Sequence, residues 1–215
     1  MVLHYPTVKP SLRKALAALM HVPELASFRL VGGTALSLQL GHRLSVDIDL
    51  FSDALYKTID HDGIESAVSR NVGSLSSSMS GPLGVGKCFD LVFENDQVIK
   101  LDLFLTEPFV FELIEVDGIR MASTKEIAAM KLDVIQRTGR KKDFWDVHAL
   151  LEKFTIHEML EFHEKRYAYT HDRTQILENL KKPWRADLDL DPVCLRGYTW
   201  DLIKLDLTAS LENDH

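Results

Sequence analysis

The chain is short of cysteine, has no long apolar run and has no excess of positive charge, and each shortage closes off a class of function. Cys88 and Cys194, the two cysteines in 215 residues, build neither a disulfide framework nor a zinc-type spacing, so free thiols in a reducing compartment are expected. No stretch approaches the roughly 20 apolar residues that span a bilayer, and the opening residues MVLHYPTVKPSLRK carry no signal-peptide apolar core. The expectation is a cytoplasmic protein without a membrane partner. A formal net charge of −7 excludes a general cationic coat, so any nucleic acid must meet a local patch. The nine histidines show no ligand spacing, and no internal repeat or long linker divides the chain. What remains is 46% hydrophobic and 27% charged, enough apolar material to bury a sizeable core.

The informative stretch is Leu30 to Phe51, LVGGTALSLQLGHRLSVDIDLF. An apolar run, Phe28 to Val31, reads as a strand, Gly32-Gly33-Thr34 as a turn, and Ala35 to Leu40 as a short helix. Asp47-Ile48-Asp49-Leu50-Phe51 alternates polar and apolar residues. On a strand Asp47 and Asp49 then share one face. Adjacent carboxylates repel each other unless a hard divalent cation lies between them. The glycines let backbone approach a phosphate, which the N–H groups opening the next helix would face.

Gly32-Gly33-Thr34, Arg43-x-Ser45 and Asp47-Ile48-Asp49-Leu50-Phe51 together resemble the signature of nucleotidyltransferases of the AbiEii/AbiGii toxin type, within the superfamily of DNA polymerase beta and the tRNA nucleotidyltransferases. That resemblance implies a third acidic residue on a later strand. Val98 to Leu105 places Ile99, Leu101, Leu103 and Leu105 on one face and Lys100, Asp102 and Phe104 on the other. Asp102 fits the third acid, with Asp90 the weaker candidate. Lys131 on one helix and Asp143-x-x-Asp146 on the next resemble the family's second signature.

The rest of the chain reads as a sheet-rich half followed by a helical half. Ser11 to His21 and Ile59 to Val72 carry helical apolar stripes. Ser74 to Ser80 is an edge strand or a loop, and Ser52 to Lys57 a loop. Cys88 to Phe93 pairs with Val98 to Leu105 through Glu94-Asn95-Asp96-Gln97, and Phe109 to Val116 with Ile119 to Met121 through Asp117-Gly118. Gly81 to Lys87 has P-loop spacing, but Cys88 stands where a hydroxyl must hold Mg²⁺ and a strand follows it, so a glycine-rich connection is the better reading. Ser123-Thr-Lys-Glu126 reads as a capping box for a helix to Arg137. Arg140-Lys141-Lys142 is a basic link, and with Arg137 it makes the densest basic run, the expected landing point for an RNA acceptor at the rim of the cleft; Asp143 to Phe154 is a second helix, and Thr155-Ile-His-Glu158 caps a third. Helices also span about Arg173 to Leu180 and Tyr198 to Leu211. Asp187, Asp189 and Asp191 read as a solvated acidic loop, and Trp145 and Trp184 as core.

The expected fold class is α+β: a nucleotidyltransferase-like mixed sheet with flanking helices, residues 1–121, then a C-terminal helical bundle, residues 122–215, with the cleft between them. The resemblance implies transfer of a nucleoside monophosphate from an NTP to an acceptor hydroxyl, the tRNA acceptor end being one target. It also implies Mg²⁺ or Mn²⁺ on Asp47, Asp49 and Asp102, and a toxin paired with an antitoxin protein. Gly32, Gly33, Thr34, Arg43, Ser45 and Lys131 would hold the nucleotide. Arg43 has two readings, bracing a carboxylate or contacting phosphate. Asp143 and Asp146, on one helix face, would orient Lys131 or the incoming hydroxyl. The alternative is a non-catalytic nucleotide-binding or protein-interaction module on the same fold.

Overall fold

The computed structural model describes residues 1–55, 58–80 and 85–213. The chain runs α1 (Pro10–Met20), β1 (Arg29–Leu30), α2 (Gly32–Leu40), β2 (Ile48–Ser52), α3 (His61–Asn71), β3 (Ser74–Ser80), β4 (Gly86–Phe93), β5 (Gln97–Leu105), β6 (Leu113–Val116), β7 (Ile119–Ala122), α4 (Thr124–Arg137), α5 (Lys141–Leu150), α6 (Ile156–Arg166), α7 (Arg173–Leu180) and α8 (Trp200–Asn213). The strands form one seven-stranded mixed sheet in the order β3-β4-β5-β2-β1-β7-β6. β2 runs parallel to β5 and antiparallel to β1, so the acid-bearing strands lie at the sheet's centre. The alternation expected for β5 holds to Phe104: Ile99, Leu101 and Leu103 are buried, while Lys100, Asp102 and Phe104 line the cavity described below; Leu105, expected on the buried face, ends the strand partly exposed and also lines that cavity.

Local sequence explains the turns. Asp117 and Gly118 take φ of 52° and 74°, the left-handed pair that matches the twist of the two-residue β6–β7 hairpin, and Asn95 and Asp96, at 58° and 57°, turn the chain in the three-residue β4–β5 connection. Gly41, at φ 72°, ends α2 in a left-handed cap. The buried cluster runs without interruption from Leu3 to Leu211, and residues of the sheet half and the helical half belong to it together.

Several expected boundaries move. α2 begins at Gly32, so the expected Gly-Gly-Thr turn is the helix's first turn. The strand before the second hairpin begins at Leu113 instead of Phe109. Residues 108–111 are instead held by Glu126, whose carboxylate accepts from the backbone N–H of Val110 and Phe111 at 3.1 and 2.8 Å. The expected capping box is therefore half formed: Ser123 caps Glu126 N–H, but the Glu126 side chain turns to the loop and to Arg166. Arg140 and Lys141 are the cap and first residue of α5 and not a link. Lys57 and Gly81 to Gly84, within the expected loop and the glycine-rich connection, lie outside the described residues. Lys87 and Cys88 are in β4, so no helix follows the P-loop-like spacing. Trp145 is core, but Trp184 is 56% exposed, because its short 3-10 turn, Pro183–Ala186, lies at the surface and buries Pro183 and Ala186 instead.

Candidate active site

Asp49 and Asp102 are direct partners across the parallel pair β2–β5, and Phe51 and Phe104 are partners one step further along. These side chains line a cavity of about 870 Å³ together with Gly32, Gly33, Asp47 and Lys131, a volume in the range of small-ligand sites. Burial, then the neighbouring Asp102 and Asp47 carboxylates, push Asp49 up to about 6. Lys100 pairs with Asp102 Oδ2 at 2.7 Å, while Asp102 Oδ1 is buried without a hydrogen bond. Asp47 lies one residue before β2, 3.9 Å from the Lys142 ammonium.

Gly32 sits at φ 65°, and a Cβ there would come within 2.6 Å of Asp49 Oδ2. Only glycine leaves that space open beside the carboxylate. At Gly33 a Cβ would collide with the Arg43 guanidinium, so this glycine is a passage for Arg43. Thr34 is buried; its hydroxyl meets Ser45 Oγ at 2.8 Å and donates to the Asp47 carbonyl. The threonine thus fixes the 45–47 segment, and its hydroxyl is not turned into the cavity.

Asp146 is wholly buried at the junction of α2, α4 and α5 and carries three partners. Arg43 grips it as a fork, Nε to Oδ1 at 2.6 Å and Nη2 to Oδ2 at 2.9 Å. Lys131 Nζ lies 2.6 Å from Oδ2 and 2.8 Å from Asp143 Oδ1, and His42 Nε2 lies 2.8 Å from Oδ1. Burial alone would raise Asp146, but Lys131 and Arg43 hold it well below the carboxylate range. Burial lowers His42, so its ring is neutral; Nε2–H donates, and Nδ1 is buried without a partner. Two carboxylates thus balance two cations, which makes burial of all four tolerable. Of the two readings of Arg43, its fork is engaged by the carboxylate, and Nη1 donates to the Leu44 carbonyl at 3.0 Å.

The basic run divides. Arg137, Arg140 and Lys142 line the cavity, while Lys141 does not. Lys141 is 4% exposed and is enclosed by the 187–191 loop: its Nζ donates to the carbonyls of Asp187 and Asp189 and to Asp191 Oδ1. The acidic triplet, expected to be merely solvated, is the cradle of this lysine. Residues 193–195 then pair with the site segment, Leu44 N–H to the Val193 carbonyl and Leu195 N–H to His42. Sequence reasoning did not assign Lys100, His42 or this C-terminal buttress. Lys100 had a visible signal, its place on the face of Asp102; the other two depend on long-range contacts that no spacing reveals.

Among the described residues no three His, Cys, Asp or Glu side chains stand close enough to hold a metal ion between them. The paired residues nevertheless fit one: Asp49, pushed up to about 6 by burial and then by the Asp102 and Asp47 carboxylates, lacks a compensating charge beside it among the described residues, and Asp102 presents an unpartnered buried oxygen. Hard divalent cations favour such donors.

The mixed sheet carries paired carboxylates on its central strands, beside a helix that opens on two glycines, and the fold is that of nucleotidyltransferases. The family described as "Nucleotidyl transferase AbiEii toxin, Type IV TA system" matches residues 14–195, and the chain belongs to it. It is a nucleotidyltransferase of that toxin family, which sets aside the non-catalytic alternative. An uncharacterized protein from Aquifex aeolicus is 32% identical over 167 residues, 74% of this chain and 76% of its own length. The structure is similar to MenT4, a nucleotidyltransferase toxin from Mycobacterium tuberculosis (TM-score 0.61, 16% identity, 94% of this chain and 82% of that one). It is also similar to JHP933 from Helicobacter pylori (TM-score 0.58, 19% identity, 95% and 88%). At those identities the likeness is one of fold. No helix among the described residues is long and apolar enough to cross a membrane.

Proposed function

We propose that the chain moves a nucleoside monophosphate from an NTP to an acceptor hydroxyl in a divalent-metal-dependent reaction, with an RNA, such as the tRNA acceptor end, as acceptor. The register pairing of Asp49 with Asp102 in the wall of the cavity carries this reading. Asp49 and Asp102, with Asp47 beside them, would hold Mg²⁺ or Mn²⁺. Such an ion supplies activation of the attacking hydroxyl and neutralisation of the charge on the transferred phosphate.

The chain's own residues do the positioning. Backbone N–H groups opening α2 at Gly32 and Gly33 face the phosphate end. Lys131 is held by Asp143 and Asp146 in one orientation, so its remaining N–H capacity is aimed without an ordering cost. Burial, then Arg140, Lys131 and Arg43, lower Lys142, as expected of an ammonium among cations awaiting an anion. Arg43 and Asp146 are positioning residues; they lock the 43–47 segment to α5. We also propose that the two halves, divided near Met121, form the two walls of the cleft, and that the toxin is neutralised by an antitoxin protein.

The test is incubation with labelled NTP, Mg²⁺ and bulk RNA. Label transferred to RNA by the native chain and not by Asp49→Asn supports the reading. No transfer to any RNA, with either Mg²⁺ or Mn²⁺, overturns the acceptor assignment.

A further inference from the structure

The cavity has two chemically different ends on either side of the paired carboxylates. Lys142 approaches Asp47 at 3.9 Å, and Lys131 and Arg140 line the same cavity. Side chains two apart on a strand share a face, roughly 6.6–6.8 Å apart along it. The face that carries Asp49 and Asp102 therefore carries Phe51 and Phe104 next. These two rings are partners in register and meet at 5.9 Å between centroids. Both are partly exposed and line the cavity, although their own strands bury Ile48, Leu50, Leu101 and Leu103 completely on the opposite face. Gly86 lies opposite Phe104 in β4, and a Cβ there would strike the ring; the glycine lets the ring lie against the sheet.

We infer that Phe51 and Phe104 form a nucleobase platform, so that a nucleotide lies with its phosphates toward Lys131 and Lys142 and a base against the two rings. This rests on the nucleotidyl-transfer reading and adds the group that recognises the base. Lys100, Asp102 and Phe104 follow one another on this face of β5, and Lys142 stands at Asp47 before Asp49 and Phe51; the order cation, carboxylate pair, aromatic pair matches the order of parts in a nucleotide. A π-face accepts any base, so the platform gives grip without strong base selection. The base comes either from the NTP or from the acceptor's terminal nucleotide.

The experiment compares the native chain with Phe51→Leu and Phe104→Leu, and with Phe51→Tyr and Phe104→Tyr, which keep a ring. Calorimetry gives the affinity for each NTP and for inorganic tripolyphosphate, which has no base; transfer kinetics give KM for RNA. The expected result is an NTP affinity about tenfold lower in the leucine variants, restored by tyrosine, with tripolyphosphate unchanged. Unchanged NTP affinity with a raised KM for RNA, again restored by tyrosine, assigns the platform to the acceptor's base. If the native chain binds NTP and neither quantity moves, the rings are packing and the inference falls. It falls equally if tripolyphosphate binding drops in parallel. A native chain that binds neither NTP nor tripolyphosphate overturns the transfer reading itself, an outcome separate from the others.

Discussion

Asp49 and Asp102 stand opposite each other on the parallel strands β2 and β5, two carboxylates in register that line one cavity, with one oxygen of Asp102 buried and unpaired. Burial of Asp49, and then its nearness to the Asp102 and Asp47 carboxylates, opposes folding. Asp49 is pushed up to about 6 from an ordinary 3.8, so the folded chain binds its proton more tightly than the unfolded chain. The penalty is absent below about pH 3.8, grows as pH rises toward 6 and is complete above it. At roughly 1.4 kcal/mol per unit it is at most on the order of 3 kcal/mol, lessened by water in the cavity.

Asp49→Asn should therefore abolish transfer and raise the melting temperature by several degrees at pH 8, with little change at pH 4. Mg²⁺ should stabilise the native chain at pH 8 and Asp49→Asn much less. Parallel melts at the two pH values, with and without Mg²⁺, check this. A variant that melts below the native chain at pH 8 would contradict it.

Asp146 has the opposite sign. Its carboxyl is held well below the ordinary 3.8, so its contribution to stability is present above that pH and lost as pH falls below it. Asp146→Ala leaves Arg43 and Lys131 buried with one carboxylate between them, and should cost about 3–5 kcal/mol. Chemical denaturation at pH 7 measures it; a loss under about 1 kcal/mol would show that the junction is not under this constraint.

Lys131→Met should weaken NTP binding by roughly 1.5–3 kcal/mol, the loss of a charge-assisted contact. The structure adds a second effect: Asp143 and Asp146 lose their shared ammonium, so the variant should also be less stable than the native chain. Calorimetric titration with NTP and a denaturation curve on the same sample separate the two effects.

Gly33→Ala places a methyl where the Arg43 guanidinium passes. The expected outcome is displacement of Arg43 from Asp146, with a fall in melting temperature and in kcat. Arg43→Ala in the Gly33→Ala background should lower stability less than Arg43→Ala alone, because the contact is already broken. A double-mutant cycle checks the coupling.

The RNA landing point is expected at Arg137 and Arg140, 73% and 66% exposed in their side chains, and not at Lys141, which the 187–191 loop encloses. Replacing Arg137 and Arg140 together by glutamine should weaken RNA binding and flatten its salt dependence by about one unit per lost phosphate contact. Lys141→Ala should lower stability and leave the salt slope unchanged. RNA titrations at several salt concentrations decide between the two.

The sequence by itself determined the pieces whose information is local. Alternation in β2 and β5 set which side of each strand carries acid and which carries the core, because a strand's side chains change face at every residue. The hairpins followed from Asn95-Asp96 and Asp117-Gly118, which tolerate the left-handed backbone such turns require. The resemblance carried by Gly32-Gly33-Thr34, Arg43-x-Ser45 and Asp47-x-Asp49 pointed to the family that matches residues 14–195. Only the tertiary structure decided how those pieces are spent. Thr34 and Arg43, each open to a phosphate role in sequence, are turned inward to Asp47 and Asp146 because partners distant in the chain lie within hydrogen-bond reach. Lys141 and the 187–191 loop, each ordinary surface features in sequence, meet across 46 to 50 residues of chain, where two carbonyls and the Asp191 carboxylate hold the ammonium. Burial of a charge is settled by the partner that folding brings to it, and that partner is fixed by the packing of α2, α4 and α5, not by neighbours in sequence.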